Sequence, residues 1–124
     1  MSNLPRVAAA VAALLLLGTA AYHGTFYNEV SQSIANSSAD AFLKRAVPAF
    51  WIFLSWHLAA LALACVWAAV RGGPAARPLV CFTALVVTGD TLWLLTQRGF
   101  FAGTALLALA AICLAVAGLT WQAA

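Results

Sequence analysis

Residues 47–70 read VPAFWIFLSWHLAALALACVWAAV, an unbroken apolar run without Asp, Glu, Lys or Arg. An α-helix needs ~20 such residues to cross a hydrocarbon core about 30 Å thick. The run is continuous, and Ala and Leu dominate where a lipid-facing strand would alternate and favour β-branched and aromatic residues, so a helix is predicted and a barrel excluded. Three further runs of the same character lie at residues 7–26, 79–96 and 100–121. With 65% hydrophobic and 7% charged residues and a mean hydropathy of +0.99 over 124 residues, the chain has too few polar groups to cover a water-facing surface. The expected fold is an all-α integral membrane four-helix bundle forming a single domain over 1–124.

The connections carry turn signals. Arg71-Gly-Gly-Pro-Ala-Ala-Arg77-Pro78 is a turn flanked by arginines, with Pro78 suited to a first helical position. Gln97-Arg98-Gly99 is shorter still. Between Asn28 and Ala46, Val30, Ile34, Ala41 and Phe42 fall at helix-like spacing among Ser and Asn, which suits a short interfacial helix as well as a polar loop. The first run has Arg6 before it and Gly18-Thr19-Ala20 within it, as a secretory signal would. It continues through Tyr22 to Phe26, longer than a signal core, and is expected to remain as a spanning helix.

An even number of crossings puts Arg6, Arg71 and Arg77 on one side and Lys44, Arg45 and Arg98 on the other, a tie in the positive-inside count. The free α-amino group beside Arg6, and Glu29 and Asp40 in the longest loop, favour cytoplasmic termini in a bacterial inner membrane. The six basic residues are scattered over both faces, so the pI of about 9.1 signals interface anchoring in the lipid bilayer and no nucleic-acid partner. Cys65, Cys81 and Cys113 lie in apolar runs without metal-ligand spacing and read as buried thiols, with no metal site expected. Cys65 and Cys81 are placed to approach each other across the second hairpin.

Two ionisable residues interrupt the apolar runs. His57 lies fourteen residues before Arg71 and Asp90 twelve after Pro78, so they sit about 21 and 18 Å from the same turn. An antiparallel hairpin would therefore bring imidazole and carboxylate level. Insertion of an aspartate at a helix centre costs roughly 2.5–3.5 kcal/mol, so such a residue is expected to be paired and to mark a site. Thr83, Asp90 and Gln97 repeat every seven residues, with Trp93 beside Asp90 on that face, and Thr19, His23 and Tyr27 follow at four-residue steps in the first run. A polar pocket of His57, Asp90, His23 and Tyr27 is expected in one half of the bilayer, with His57 and Asp90 as candidate catalytic residues and His23, His57, Tyr27 and Trp93 as candidate cofactor-binding residues. Trp51 and Trp121 are expected in an aromatic belt, while Trp56, Trp67 and Trp93 suit packing better than a ligand cage. In the last run Thr104, Ala108, Ala111, Ala115 and Gly118 form a small-residue stripe suited to close helix packing, within the bundle or in a homo-oligomer.

No phosphate loop, HExxH or GxSxG motif is present. A small multidrug transporter would need a carboxylate in the first helix, and the first run has none. His23 and His57 differ in depth by only about 4 Å, so both are also candidate cofactor ligands, haem being commonly held by histidine. A histidine closing the first helix, another within the second, and an aspartate followed by tryptophan in the third form an order similar to that of the styrene oxide isomerases, which are four-helix haem proteins. The spacings differ and no contiguous motif is shared, so membership of that family is not inferred. Three functions remain open at this stage: binding of a small apolar or amphipathic ligand or of a partner membrane subunit, an acid–base or haem-dependent isomerase, and proton-coupled transport through Asp90.

Overall fold

A computed structural model describes residues 3–121. Among the described residues four helices are long and apolar enough to cross a membrane, and the chain is a four-helix membrane bundle with one short additional helix. The elements are α1 (Leu4–Thr25), α2 (Tyr27–Ala35), α3 (Ala41–Arg71), α4 (Ala76–Arg98) and α5 (Ala102–Thr120).

The helix ends follow from local chemistry. Pro5 sits in the first turn of α1, where its missing amide hydrogen has no intrahelical acceptor to lose. Asp40 caps α3, its carboxylate accepting from the Leu43 amide at 2.8 Å. Gly72, at φ 62°, ends α3 in a left-handed conformation that a side chain disfavours, and the Arg6 guanidinium lies against it, so a Cβ there would collide. That contact places the start of α1 beside the α3–α4 turn, and Arg6, Arg71 and Arg77 accordingly share one end. The fourth helix starts at Ala76, three residues before the run at 79–96, so Pro78 occupies the first turn and not the first position. The Arg77 guanidinium, at the start of α4, donates from Nε to the Gly118 carbonyl at 3.3 Å, one of the carbonyls left open at the end of α5.

The polar stretch after the first run is helical. α1 passes into α2 through Phe26, which keeps helical angles (φ −84°, ψ 0°) while its amide shifts to the His23 carbonyl, so the two form a nearly continuous rod. α2 packs on the first turns of α3, leaving a groove lined by Val30, Ile34, Val47 and Trp51 among others.

In lipid, apolar side chains gain little by turning inward, so the core is set by which faces permit close approach. α1 is the central helix. It packs along most of its length against both α3 and α5, while α4 leans on α5 and touches α3 more lightly. Its inward face is Ala8, Ala9, Ala12, Ala13, Leu16, Thr19 and Ala20, and it meets Leu58, Ala62, Cys65 and Ala68 of α3 in one continuous cluster. On α5 the buried face is Gly103, Leu107, Ala110, Leu114 and Ala117, flanked by Thr104 and Gly118. The expected stripe is thus corrected by about one position: Thr104 and Gly118 are buried, Ala108 and Ala111 half-buried, and Ala115 faces out. Small residues occur all around α5, so their spacing did not single out one face.

The aromatics reverse their expected roles. Trp121 is 7% exposed and belongs to the core, whereas Trp56 and Trp93 face outward at 72% and 63%. The three cysteines are free, and the expectation of buried thiols holds only for Cys65: Cys113 is half-buried and Cys81 is exposed. A Cβ at Gly118 would lie 2.8 Å from the Cys81 sulfur, so the α4–α5 contact depends on that glycine. Gly118→Leu is expected to lower the stability of the detergent-solubilised bundle by about 1–3 kcal/mol, the usual cost of overpacking, and to speed thiol labelling of Cys81. Thermal unfolding followed by near-ultraviolet circular dichroism, with maleimide labelling rates, checks both.

Candidate functional site

The spanning helices hold few polar side chains, and most are satisfied within their own helix. Thr19, Thr83, Thr88, Thr91 and Thr120 each donate to the carbonyl four residues back, at 2.7–2.9 Å. Four side chains instead pair across to another helix: His57 with Asp90, and Ser55 with His23.

His57 and Asp90 meet across the α3–α4 seam, with Nε2 3.0 Å from Oδ2. Leu58, Ala62 and Cys65 turn α3 toward the core, which leaves His57 on the flank toward α4, and Asp90 lies beside the buried Thr91. The depth match read from the sequence is therefore realised in a side-chain contact. The pair is not sealed: the His57 and Asp90 side chains remain 29% and 30% exposed. The Phe53 ring stacks over His57 one turn away, centroids 6.5 Å apart and planes 19° apart. Asp90 Oδ1 and His57 Nδ1 have no further hydrogen-bond partner among the described residues. In the tautomer whose Nε2–H donates to the carboxylate, both of these open atoms are acceptors.

His23 belongs to a different cluster. Its Nδ1 lies 3.0 Å from the Ser55 hydroxyl oxygen, and its ring stacks on Trp51 at 4.0 Å with planes 16° apart. The Trp51 indole N–H donates to the His23 carbonyl at 2.8 Å. Ser55 and His57 are two residues apart, hence about 160° apart around α3, so these two clusters occupy opposite flanks of one helix.

The single polar pocket expected from the sequence is thereby divided. His57 and Asp90 come together; His23 pairs with Ser55 on the other flank; Tyr27 opens α2 and lines neither groove beside α3; Trp93 points outward. Histidines that open on opposite flanks of α3 do not converge on one cavity, so His23 and His57 are not placed to hold one porphyrin between them. No three His, Cys, Asp or Glu side chains gather as metal ligands among the described residues.

Sequence reasoning missed Ser55 and the inward role of Trp51. The signal was present: Ser55 lies about 24 Å from Arg71 and His23 about 25 Å from Arg6, the same depth match that joins His57 to Asp90. No protein-family model matches the chain, and no curated protein or solved structure matches it.

A hydrogen bond between membrane helices averages ~0.6 kcal/mol and reaches about 1.7. That is well below the ~2.5–3.5 kcal/mol cost of placing the aspartate at a helix centre, so holding α3 to α4 does not by itself account for Asp90. A double-mutant cycle on His57→Leu and Asp90→Leu is expected to give a coupling energy of about 0.6–1.7 kcal/mol, with the double variant at least as stable as Asp90→Leu alone. Reversible unfolding in mixed micelles measures it.

Proposed function

We propose that this chain is a small accessory subunit of the bacterial inner membrane, both termini cytoplasmic, whose α3–α4 seam receives a helix of a partner membrane protein through His57 and Asp90. One observation carries the reading. A hydrogen-bonded imidazole–carboxylate pair sits a third open at the looser seam of the bundle, with acceptor atoms still unanswered, where the nearby outward side chains are apolar apart from Thr88, whose hydroxyl returns to its own backbone. In hydrocarbon, each polar group left unsatisfied costs several kcal/mol. A partner helix bearing a hydroxyl, amide or amine donor at this depth would supply the missing bonds, and the outward Phe53 and Leu92 would supply apolar contact around them.

A second reading, an acid–base enzyme acting on a small amphipathic molecule, draws on the same geometry. A carboxylate behind Nε2 fixes the imidazole and leaves Nδ1 free to exchange a proton. Proton-coupled transport is less favoured, because the polar side chains of the seam do not continue toward the end of the bundle that carries Arg71 and Arg77.

Photocrosslinking in native membranes tests the assignment. With p-benzoylphenylalanine replacing Phe53, a discrete adduct with one other membrane protein is expected. The adduct should fall by about fivefold or more when Asp90→Ala is added, the equivalent of ~1 kcal/mol. The same reagent at Leu119, outward on α5, should give no discrete adduct. An adduct only with a small molecule would favour the enzyme reading, and labelling unaffected by Asp90→Ala would overturn the docking role. Orientation is read separately: reporter fusions at residue 38, in the α2–α3 loop, are expected to be active only in a periplasmic-sensing form.

A further inference from the structure

The flank of α3 opposite His57 carries a groove of about 260 Å³ between α1 and α3, lined by Ala20, Gly24, Ile52, Ser55, Trp56 and Ala59. Its walls are apolar except at Ser55, which lies between Ile52 toward the outer end of the groove and Ala59 toward the inner end. From Ser55 and Gly24 the groove runs inward along both helices, toward Ala59 on α3 and Ala20 on α1, each one turn closer to the bilayer middle. Ser55 is within roughly 25 Å of the arginine end of the bundle, about one turn short of the far boundary of a ~30 Å core, and lipid ester groups begin just beyond that boundary. We propose that this groove holds one acyl chain of an ester-linked phospholipid, whose ester carbonyl accepts a hydrogen bond from the Ser55–His23 pair.

The pair is chemically suited to an acceptor. If the Ser55 hydroxyl donates to Nδ1, the neutral imidazole keeps an Nε2–H with no acceptor; if Nδ1–H donates to Ser55, the hydroxyl hydrogen is the free one. In either tautomer one donor is left without a partner among the described residues. The threonines of the spanning helices return their hydroxyls to their own backbone, whereas Ser55 is turned across to another helix and into the groove wall. Trp51 holds the imidazole plane by stacking, so the donor is oriented before anything binds. Gly24 lines the groove opposite the Ser55 oxygen, 3.9 Å from where its Cβ would stand. The His57 seam, by contrast, presents acceptors and asks for a donor. The two flanks thus select opposite chemistries, and the lipid site does not rest on the docking role of His57 and Asp90.

Vesicles of phosphatidylethanolamine carrying a mid-chain diazirine test the proposal, with adducts on reconstituted protein mapped by mass spectrometry. Labelling at Ile52, Trp56 and Ala59 is expected to exceed that at Leu85 and Leu119, which face outward elsewhere and serve as controls for lipid passing at random. Ser55→Ala should lower the groove excess by about threefold, the equivalent of one membrane hydrogen bond. Ala59→Phe, which fills the groove and leaves the Ser55–His23 contact intact, should abolish the excess while thermal unfolding still reports a folded bundle. A diazirine lipid with ether linkages, having the same phosphate headgroup and no ester carbonyl, should label the groove no more than the controls. Equal labelling of groove and control positions, or ether-lipid labelling equal to that of the ester lipid, would overturn the proposal.

Discussion

The bundle depends on how closely α1 can approach its neighbours. Its inward face is almost wholly alanine, and Ala9 and Ala12 are fully covered, as are Ala62 and Ala68 on α3 and Ala110 and Ala117 on α5. Water is absent from the hydrocarbon, so there is no gain in turning leucine or phenylalanine inward; what holds the helices is dispersion between backbones that small side chains let close. This inverts the pattern of a water-soluble protein. Phe82, Leu85 and Trp56 point out, and the tightly packed interior is largely alanine, with a few leucines and valines and Trp121 among it.

That inversion decides what could be read in the sequence. The number of spans and their approximate limits were legible, because runs of apolar residues and Gly/Pro turns are a direct record of bilayer thickness. The His57–Asp90 contact was also legible, since depth along an antiparallel hairpin is simple arithmetic. Azimuth was not. Apolar residues surround every spanning helix, so no amphipathic stripe marked the side of α5 that turns inward or the outward direction of Trp93. The division of the polar residues between two flanks of α3 depends on that missing angle. Ser55 shows a different failure: a serine in a membrane helix is ordinarily absorbed by its own backbone, and only the position of His23 reveals that this one is not.

Polar side chains in this molecule are consequently few and differentiated. The threonine hydroxyls are neutralised locally and add no surface chemistry. Asp90 and His57 leave open acceptors where α3 and α4 part, and Ser55 with His23 leaves an open donor where α1 and α3 enclose an apolar groove. The contrast follows from residue types two positions apart within one turn of α3, and it gives the two flanks complementary hydrogen-bonding character.

The extensive contact between α1 and α5 joins the earliest and the latest of the four spans to leave the ribosome. A nascent α1–α3 hairpin can form at once, and His57 can meet Asp90 as soon as α4 enters the bilayer, but the alanine face of α1 stays half-covered until α5 arrives. Assembly is therefore a ring closure of long sequence separation, the slow class of folding step. Before it completes, the small-residue surface most adept at gripping another helix lies open to whatever neighbours the translocation machinery presents.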